Sequence, residues 1–417
     1  MREERVRKVA EQYGTPFFLY DGEKILEQHK KLKDCLYNGS KIFYAMKANP
    51  LIGMCQLLYL EGCGIETASK GEIRTALKCG VKPAEIIFTS PGKTVDEIQF
   101  AIEKKIKIIN IESFYEAMIV NEVAKKKKRK VKVVLRINQN ANFSNAKIKM
   151  TGVSSQFGIE ETDLNNALFE KLFALKHIEI AGVQVYSGTQ VLKATEILKN
   201  TEYAIEMAKE VSSKYKFDLK YLNLGGGFGI PYFKGEKELD LQELKTGMQE
   251  IKNKYESQLK NTEIIFESGR FLVAESGIYV TKILYKKISK GNIYYICDGG
   301  SNFHSSTAFM GRFVRNNFPM HSLPKSSNLI KVNVVGPLCT PIDTMGREVE
   351  LSGDLCTGDY IVIEKSGAYG LTYSPMNFLS HDTPVEILEL NGRVHVLRER
   401  GNATDLWRRQ KGLHINE

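Results

Sequence analysis

The sequence predicts an α/β protein, a (β/α)8 barrel followed by a separate all-β domain. Two patterns and one length argument lead there. Eight short apolar runs punctuate the first two thirds of the chain: Lys41–Met46, Gly64–Glu66, Glu85–Thr89, Lys107–Ile111, Val131–Ile137, Ile178–Tyr186, Lys220–Leu224 and Glu263–Phe266. Most are followed by a stretch with helical periodicity, and near-continuous apolar runs such as VKVVLRI suit parallel strands buried on both faces. Beyond residue 272 the long helical patterns cease and strand-like runs take over, separated by Gly, Pro, Asn and Asp. With 417 residues, the chain also exceeds the ~250–300 residues that one core usually serves.

The elements follow in order. Residues 1–25 form an N-terminal segment, helical in pattern up to about Gly14, whose PFFLY stretch (Pro16–Tyr20) pairs into the β domain. Residues 26–272 form the barrel. Within it Thr94 followed by Glu97 predicts a capping box at a helix start. Residues 273–417 form the β domain, with strands at Gly277–Tyr285, Asn292–Cys297, Leu329–Val335, Tyr360–Lys365, Val385–Leu390 and Arg393–Leu397.

Composition narrows the function classes. Hydrophobic residues make up 42% and aromatics 10%, enough for real cores. MREERVRKVAEQYG has no apolar stretch of the signal-peptide kind, and no run of ~18 apolar residues suggests a membrane span. The seven cysteines are irregularly spaced without a Cys-x-x-Cys pair, which speaks against a disulfide framework or a zinc knuckle and for free thiols and a cytoplasmic location. No metal site is expected. Net charge is +10, partly concentrated in the run from Lys125 to Lys130. That run lacks the interleaved aromatics of a nucleic-acid surface and reads as a solvated helix end; an acidic protein partner is the other reading.

Barrel active sites lie where the strands end. The first run ends in Lys47. A lysine buried there would lose proton affinity and become a nucleophile suited to Schiff-base chemistry; a lysine extending to solvent is the alternative. Run seven ends in Gly225-Gly226-Gly227-Phe228-Gly229 and run eight in Glu267-Ser268-Gly269-Arg270. Glycines after strands seven and eight mark the usual phosphate site of this barrel, although they also serve tight turns. Ile230 and Ile87 occupy positions where a dinucleotide fingerprint and a P-loop need glycine, so neither motif is present. A strand-end lysine with a phosphate site points to pyridoxal 5′-phosphate (PLP), and Glu267 is placed to keep its pyridine nitrogen protonated, a salt bridge being the alternative.

These motifs together resemble the fold-type III PLP decarboxylases, which include diaminopimelate, ornithine and arginine decarboxylases. The resemblance runs over residues 10–395 and rests on FYAMKAN around Lys47, Glu66-Thr67-Ala68-Ser69-Lys70-Gly71-Glu72, LGGGFG, ESGR, GPLC (Gly336–Cys339) and GAYG (Gly367–Gly370). It implies a PLP-dependent carboxy-lyase in which Lys47 binds the cofactor and Cys339 returns a proton to the product carbon. Cofactor binding is further implied for Gly226, Gly227, Glu267, Gly269, Arg270 and Tyr369. It implies a homodimer with composite sites, the Cys339 segment serving the partner subunit. A cysteine by itself is more often a small buried apolar residue, so Cys339 rests on its GPLC setting. A non-catalytic relative should have lost Lys47 or Cys339, and a racemase would set an arginine where Glu267 stands.

Two departures bear on substrate. Tyr186 stands where the family has a ring-stacking histidine, with Thr189 still offering a hydroxyl to phosphate. Thr340 stands where relatives carry the acidic residue that binds a distal ammonium, and Asp343 lies three residues further on. Free diamino acids thereby become weaker candidates. The Ser374–His381 segment resembles a branch in secondary metabolism, including antibiotic biosynthesis, that acts on glutamate held as a thioester on an acyl carrier protein. Arg312, with Arg315, Lys325 and Lys331, is a candidate to face such a substrate or its acidic carrier; ordinary surface charge is the alternative. The expected substrate is a carrier-bound glutamyl group, with a free diamino acid of the diaminopimelate type as the alternative.

Overall fold

The structure is a computed structural model and describes residues 3–140, 148–149, 155–186, 188–309 and 317–413. The chain divides into two compact units: one comprises residues 26–231 and 237–272, the other residues 1–25, 232–236 and 273–417.

The first unit is a closed barrel of eight parallel strands: β2 (Lys41–Ala45), β3 (Gly64–Thr67), β4 (Ile86–Phe88), β5 (Ile108–Ile111), β6 (Val131–Asn138), β7 (Ile178–Val185), β8 (Tyr221–Asn223) and β9 (Glu263–Ser268). Closure comes from β9 pairing with β2, Ile265 opposite Lys41, and from β5 pairing with β6. Each apolar run of the sequence became one of these strands, because a barrel strand sees core on the inside and helix on the outside. Phe43, Ile87, Ile108, Val134 and Ile265 pack together inside. Gly182 has no room for a side chain, since a Cβ there would lie 1.9 Å from the Tyr221 carbonyl oxygen. The predicted capping box is present: Thr94 and Glu97 cap α5 (Val95–Lys104) reciprocally. At the strand starts Lys107 pairs with Glu263 at 3.0 Å and Lys220 with Glu179 at 2.5 Å, which leaves the other end of the barrel for chemistry.

The basic run ends α6 (Phe114–Lys126), where cations suit the helix dipole. Lys127 pairs with Glu103 at 2.7 Å, and Arg129 donates to the Ile102 carbonyl at 3.0 Å, so part of the run serves α5.

The second unit is mostly sheet. The PFFLY segment enters it as β1 (Phe17–Asp21), antiparallel to β10 (Gly277–Ser289) and parallel to β16 (Val385–Leu390). β11 (Asn292–Cys297), β13 (Leu329–Val335), β15 (Tyr360–Ile363) and β17 (Arg393–Arg398) match the runs read from sequence. Two further strands, β12 (Met320–Leu323) and β14 (Thr344–Ser352), lack that apolar signature. In β14 the pairing with β13 slips twice and Glu348 takes a positive φ of 49°, so the alternation a half-buried strand should show is broken. Val6, Val9, Phe17, Leu19, Ile278, Val280, Val362 and Ile387 form this unit's core. All seven cysteines are free thiols. Among the described residues no helix is long and apolar enough to cross a membrane.

Lys93 is the buried tie behind the barrel mouth. Its Nζ donates to the Ser90 and Asn110 carbonyls and to Glu116 Oε1, at 2.7, 2.6 and 2.6 Å. Removing one member of a buried ion pair strands the other charge. Glu116→Ala is therefore expected to cost about 3–5 kcal/mol, and the double change Lys93→Met with Glu116→Leu much less. Urea denaturation of the two variants checks the order; equal stability would contradict it.

Candidate active site at the barrel mouth

Lys47 sits in a single 3-10 turn, Met46–Ala48, immediately after β2. Its side chain is about half exposed, and Nζ lies 3.6 Å from Glu66 Oε2, at the end of β3. Glu66 is buried, and Oε2 accepts no hydrogen bond, so the lysine is its only cation at ion-pair range among the described residues. Sequence reading placed the amine at the mouth but did not give it this partner.

Glu267 ends β9 and is buried. Its Oε1 accepts from Gln184 Nε2 at 2.8 Å and from Asn223 Nδ2 at 2.7 Å. Burial raises its carboxyl to about 7, and the Glu66 carboxylate adds to the rise, while Lys47, the Asn223 hydrogen bond and Arg136 oppose it. Glu72, behind the lysine on α4 (Lys70–Lys78), is likewise raised to about 7 by burial and then by Glu66; the Ala68 N–H and Lys47 pull the other way. Arg136 is taken up by both oxygens of Glu112, at 2.9 and 3.0 Å.

The glycines after β8 stand where the chain leaves no room for a side chain. A Cβ on Gly226 would come 1.7 Å from the Glu267 carbonyl oxygen, and one on Gly227, at φ +90°, 2.2 Å from the Gly188 carbonyl oxygen. The loop after β8 is thereby pressed between β9 and the 188–189 segment. Glu267 N–H donates to the Gly225 carbonyl at 2.7 Å, and Val191 N–H to the Gly227 carbonyl at 2.9 Å. Gln190 clamps Ile230, accepting from its N–H at 3.2 Å and donating to its carbonyl. Tyr186 borders Gly225, whose added Cβ would lie 2.8 Å from the tyrosine ring, and Thr189 borders Gly227. Gly269 lies against the lysine turn, its Cβ position 2.8 Å from that of Ala48. Arg270 begins the short helix α10 (Arg270–Val273) beside it. Lys47, Tyr186, Thr189, Gly226, Gly227, Glu267, Gly269 and Arg270 thus gather at one end of the barrel.

The remaining expected residues belong to the second unit. Tyr369 belongs to the sheet unit, at φ 55°, with its carbonyl accepting from Ser306 Oγ at 2.8 Å and its ring edge-on to Tyr373. Cys339 is exposed at the tip of the β13–β14 connection. Thr340 Oγ1 accepts from Ile342 N–H at 3.4 Å, within the turn. Asp343 is buried; Oδ1 accepts from Ser301 N–H at 2.6 Å and Oδ2 from Leu338 N–H at 2.8 Å. Each carboxylate oxygen accepts from a backbone N–H, a structural use that the sequence did not suggest. Arg312 and Arg315 lie outside the described residues. Lys325 is 3.9 Å from Glu3, and Lys331 stands opposite Glu350 in the sheet.

Sequence reading passed over Gln184, Asn223, Asn110 and Arg136. Each interrupts an apolar strand (GVQV, YLNL, IINI, VLRI), and a polar residue in such a run has to find a partner when buried. That interruption was the available signal.

A closed parallel barrel with an amine, a clamped carboxylate and a glycine cradle at the strand ends defines a cofactor-dependent barrel enzyme. Residues 22–274 match the family described as "Pyridoxal-dependent decarboxylase, pyridoxal binding domain". The chain is 36% identical over 407 residues to the "L-glutamyl-[BtrI acyl-carrier protein] decarboxylase" of Niallia circulans, covering 96% of this chain and 95% of that one. It is 31% identical to the "2-[(L-alanin-3-ylcarbamoyl)methyl]-2-hydroxybutanedioate decarboxylase" of Staphylococcus aureus, covering 90% of this chain and 94% of the other. The crystal structure of diaminopimelate decarboxylase from Helicobacter pylori complexed with L-lysine superposes with a TM-score of 0.86 at 31% identity, covering 97% and 98% of the two chains. The chain belongs to the pyridoxal-dependent decarboxylases, and its cofactor is PLP. The residues present fit that group: a cradle closed to any Cβ suits a phosphate reached by backbone N–H groups, and a buried carboxyl suits a ring nitrogen.

Two carboxyls raised from 4.5 to about 7 set a pH dependence. Between those values the folded, cofactor-free chain holds protons that the unfolded chain has released, so its stability falls as pH rises through that window. Glu267→Gln is expected to flatten this fall and to melt above the parent at pH 8. Thermal melts of the cofactor-free proteins across the range check it; parallel curves would contradict it.

Proposed function

We propose that this enzyme removes the α-carboxylate of a glutamyl group held as a thioester on an acyl carrier protein. One observation carries the reading. The Cys339 turn offers no free carboxylate for a distal ammonium, because Thr340 stands next to the cysteine and both oxygens of Asp343 are engaged by backbone N–H groups. A thioester-linked side chain has no distal charge to bind. The similarity to the glutamyl-carrier decarboxylase over 96% of the chain supports the same substrate class. Carrier proteins are acidic, and a net charge of +10 favours encounter with one. Decarboxylation of free diaminopimelate is the second reading, favoured by the likeness to the Helicobacter pylori enzyme.

The roles follow from the chemistry of each side chain. Lys47 would hold the cofactor through its side-chain amine, and the Glu66 carboxylate beside it would keep that amine in place. Gly226, Gly227, Gly269 and Arg270 hold the phosphate with Thr189 and Tyr369, and Tyr186 stacks on the ring. Bound PLP supplies an electron sink for the pair left behind as carbon dioxide departs. Glu267 holds the proton at the ring nitrogen that deepens this sink. Cys339 Sγ gives a proton to Cα, acting at the barrel of the partner subunit in a homodimer with composite sites. Arg312 and Asp343 have no assigned contact with substrate here.

Release of carbon dioxide from glutamyl-carrier and from diaminopimelate, assayed side by side, decides the substrate; turnover of diaminopimelate alone would reject the first reading. Lys47→Ala is expected to abolish both activities. Cys339→Ala should bind PLP as the parent does and turn over roughly 10²–10⁴ more slowly, the usual worth of a positioned general acid. An unchanged rate would remove Cys339 from the mechanism.

A further inference from the structure

Five polar side chains, on or just after β4, β5, β7, β8 and β9, form one buried network that converges on Glu267. Asn110 Nδ2, on β5, donates to Thr89 Oγ1 at 2.7 Å and to Gln184 Oε1 at 2.9 Å. Gln184 Nε2, on β7, donates to Glu267 Oε1 at 2.8 Å, and Asn223 Nδ2, on β8, donates to the same oxygen at 2.7 Å. Asn223 Oδ1 accepts from Gly225 N–H at 3.0 Å. All five residues are buried.

Both amides present an N–H to Glu267. Gln184 presents its oxygen to Asn110, so its N–H faces Glu267. Asn223 presents its oxygen to Gly225, so its N–H faces Glu267 as well. One carboxylate oxygen has two lone-pair positions, and both positions of Oε1 are filled. A proton on Oε1 would displace a donor, and among the described residues Oε2 carries no hydrogen bond.

We propose that Gln184 is a positioning residue: with Asn223 it fixes Glu267 through Oε1, so that Oε2 is the oxygen that bonds the pyridine nitrogen and the atom on which the glutamate carries its proton. The inference rests on the placing of Glu267 at the ring nitrogen. Asn110 acts at one remove by setting the direction of the Gln184 amide. Asn223 links the same carboxylate to the first residue of the glycine loop, so the ring-nitrogen and phosphate ends of the site are held by one network. N–H donors favour the ionised carboxylate, which opposes the upward push of burial and Glu66. A network that merely satisfied buried polar groups would not depend on which oxygen receives the donors.

The test uses the full chain without cofactor. The infrared band of the protonated Glu267 carboxyl, assigned by its loss in Glu267→Gln, is titrated with pH. Gln184→Leu removes one donor at similar volume. Its midpoint is expected to rise by about one pH unit, a roughly tenfold gain in proton affinity. The dissociation constant for PLP should rise about tenfold as well, since a hydrogen bond to a charged group is lost. Turnover should fall with KM unchanged. Gln184→His, which keeps an N–H donor, should bring the midpoint and the PLP affinity back toward the parent. If Gln184→Leu does not fold, Asn110→Ala replaces it and should move the midpoint the same way by a smaller step. A folded variant with an unmoved midpoint and unchanged PLP affinity, or a histidine variant no closer to the parent than the leucine one, overturns the role of Gln184. PLP affinity unchanged in Glu267→Gln would instead overturn the placing of Glu267 itself, and the proposal with it.

Discussion

Three glutamates share the inner end of this barrel with a lysine, and the site depends on how their charges are kept apart. Glu66 pairs with Lys47, Glu267 is gripped by two amides, and Glu72 accepts from the Ala68 backbone N–H. In a buried setting like charges repel strongly, and this repulsion adds to the burial that moves Glu267 and Glu72 toward their neutral forms. The cofactor-free barrel is thereby left with a carboxyl raised to about 7 at the position proposed for the ring nitrogen. A group poised in this way binds a cation-forming ring at little cost, because the proton can lie on either side of the new hydrogen bond.

The second constraint is steric. The glycine cradle exists because chain segments approach closely at Gly226, Gly227 and Gly269, where a methyl group would overlap backbone or the lysine turn. The amine, the carboxylate and the cradle are consequently mutually fixed. Gly269 abuts the turn bearing Lys47, and Glu267 is bonded by its own N–H to the glycine loop. In the sheet unit the Cys339 turn is held by the carboxylate of Asp343 between two backbone N–H groups. A rigid turn with an exposed thiol is suited to reach outward to a second subunit, as the proposed composite site requires.

Much of the barrel was legible because its strands are buried on both faces. Lys41–Met46 and Glu85–Thr89 were read within a residue or two of the strands they became. β14 was not legible: its exposed face is charged and its slipped pairing destroys the alternation. The lysine, glycines and carboxylate of the candidate site stood out by their places at run ends, and the barrel brings them to one end. Gln184, Asn223 and Asn110 were visible only as anomalies, polar residues in apolar runs whose side-chain partners lie far off in sequence, apart from the Gly225 N–H that Asn223 accepts.

The sequence alone determined the class of fold, the amine, the glycine loop and the carboxylate, because those depend on local pattern and on which strand end each residue occupies. Tertiary structure decided the pairings: Lys47 with Glu66, Gln184 and Asn223 with a single oxygen of Glu267, and Asp343 with the backbone N–H of Ser301. The Gln184 and Glu267 positions are 83 residues apart, and only barrel closure brings them within 2.8 Å. A hydrogen bond is specified by position to a few tenths of an ångström, and position across a barrel is a property of all eight strands together, which no local pattern in the chain encodes.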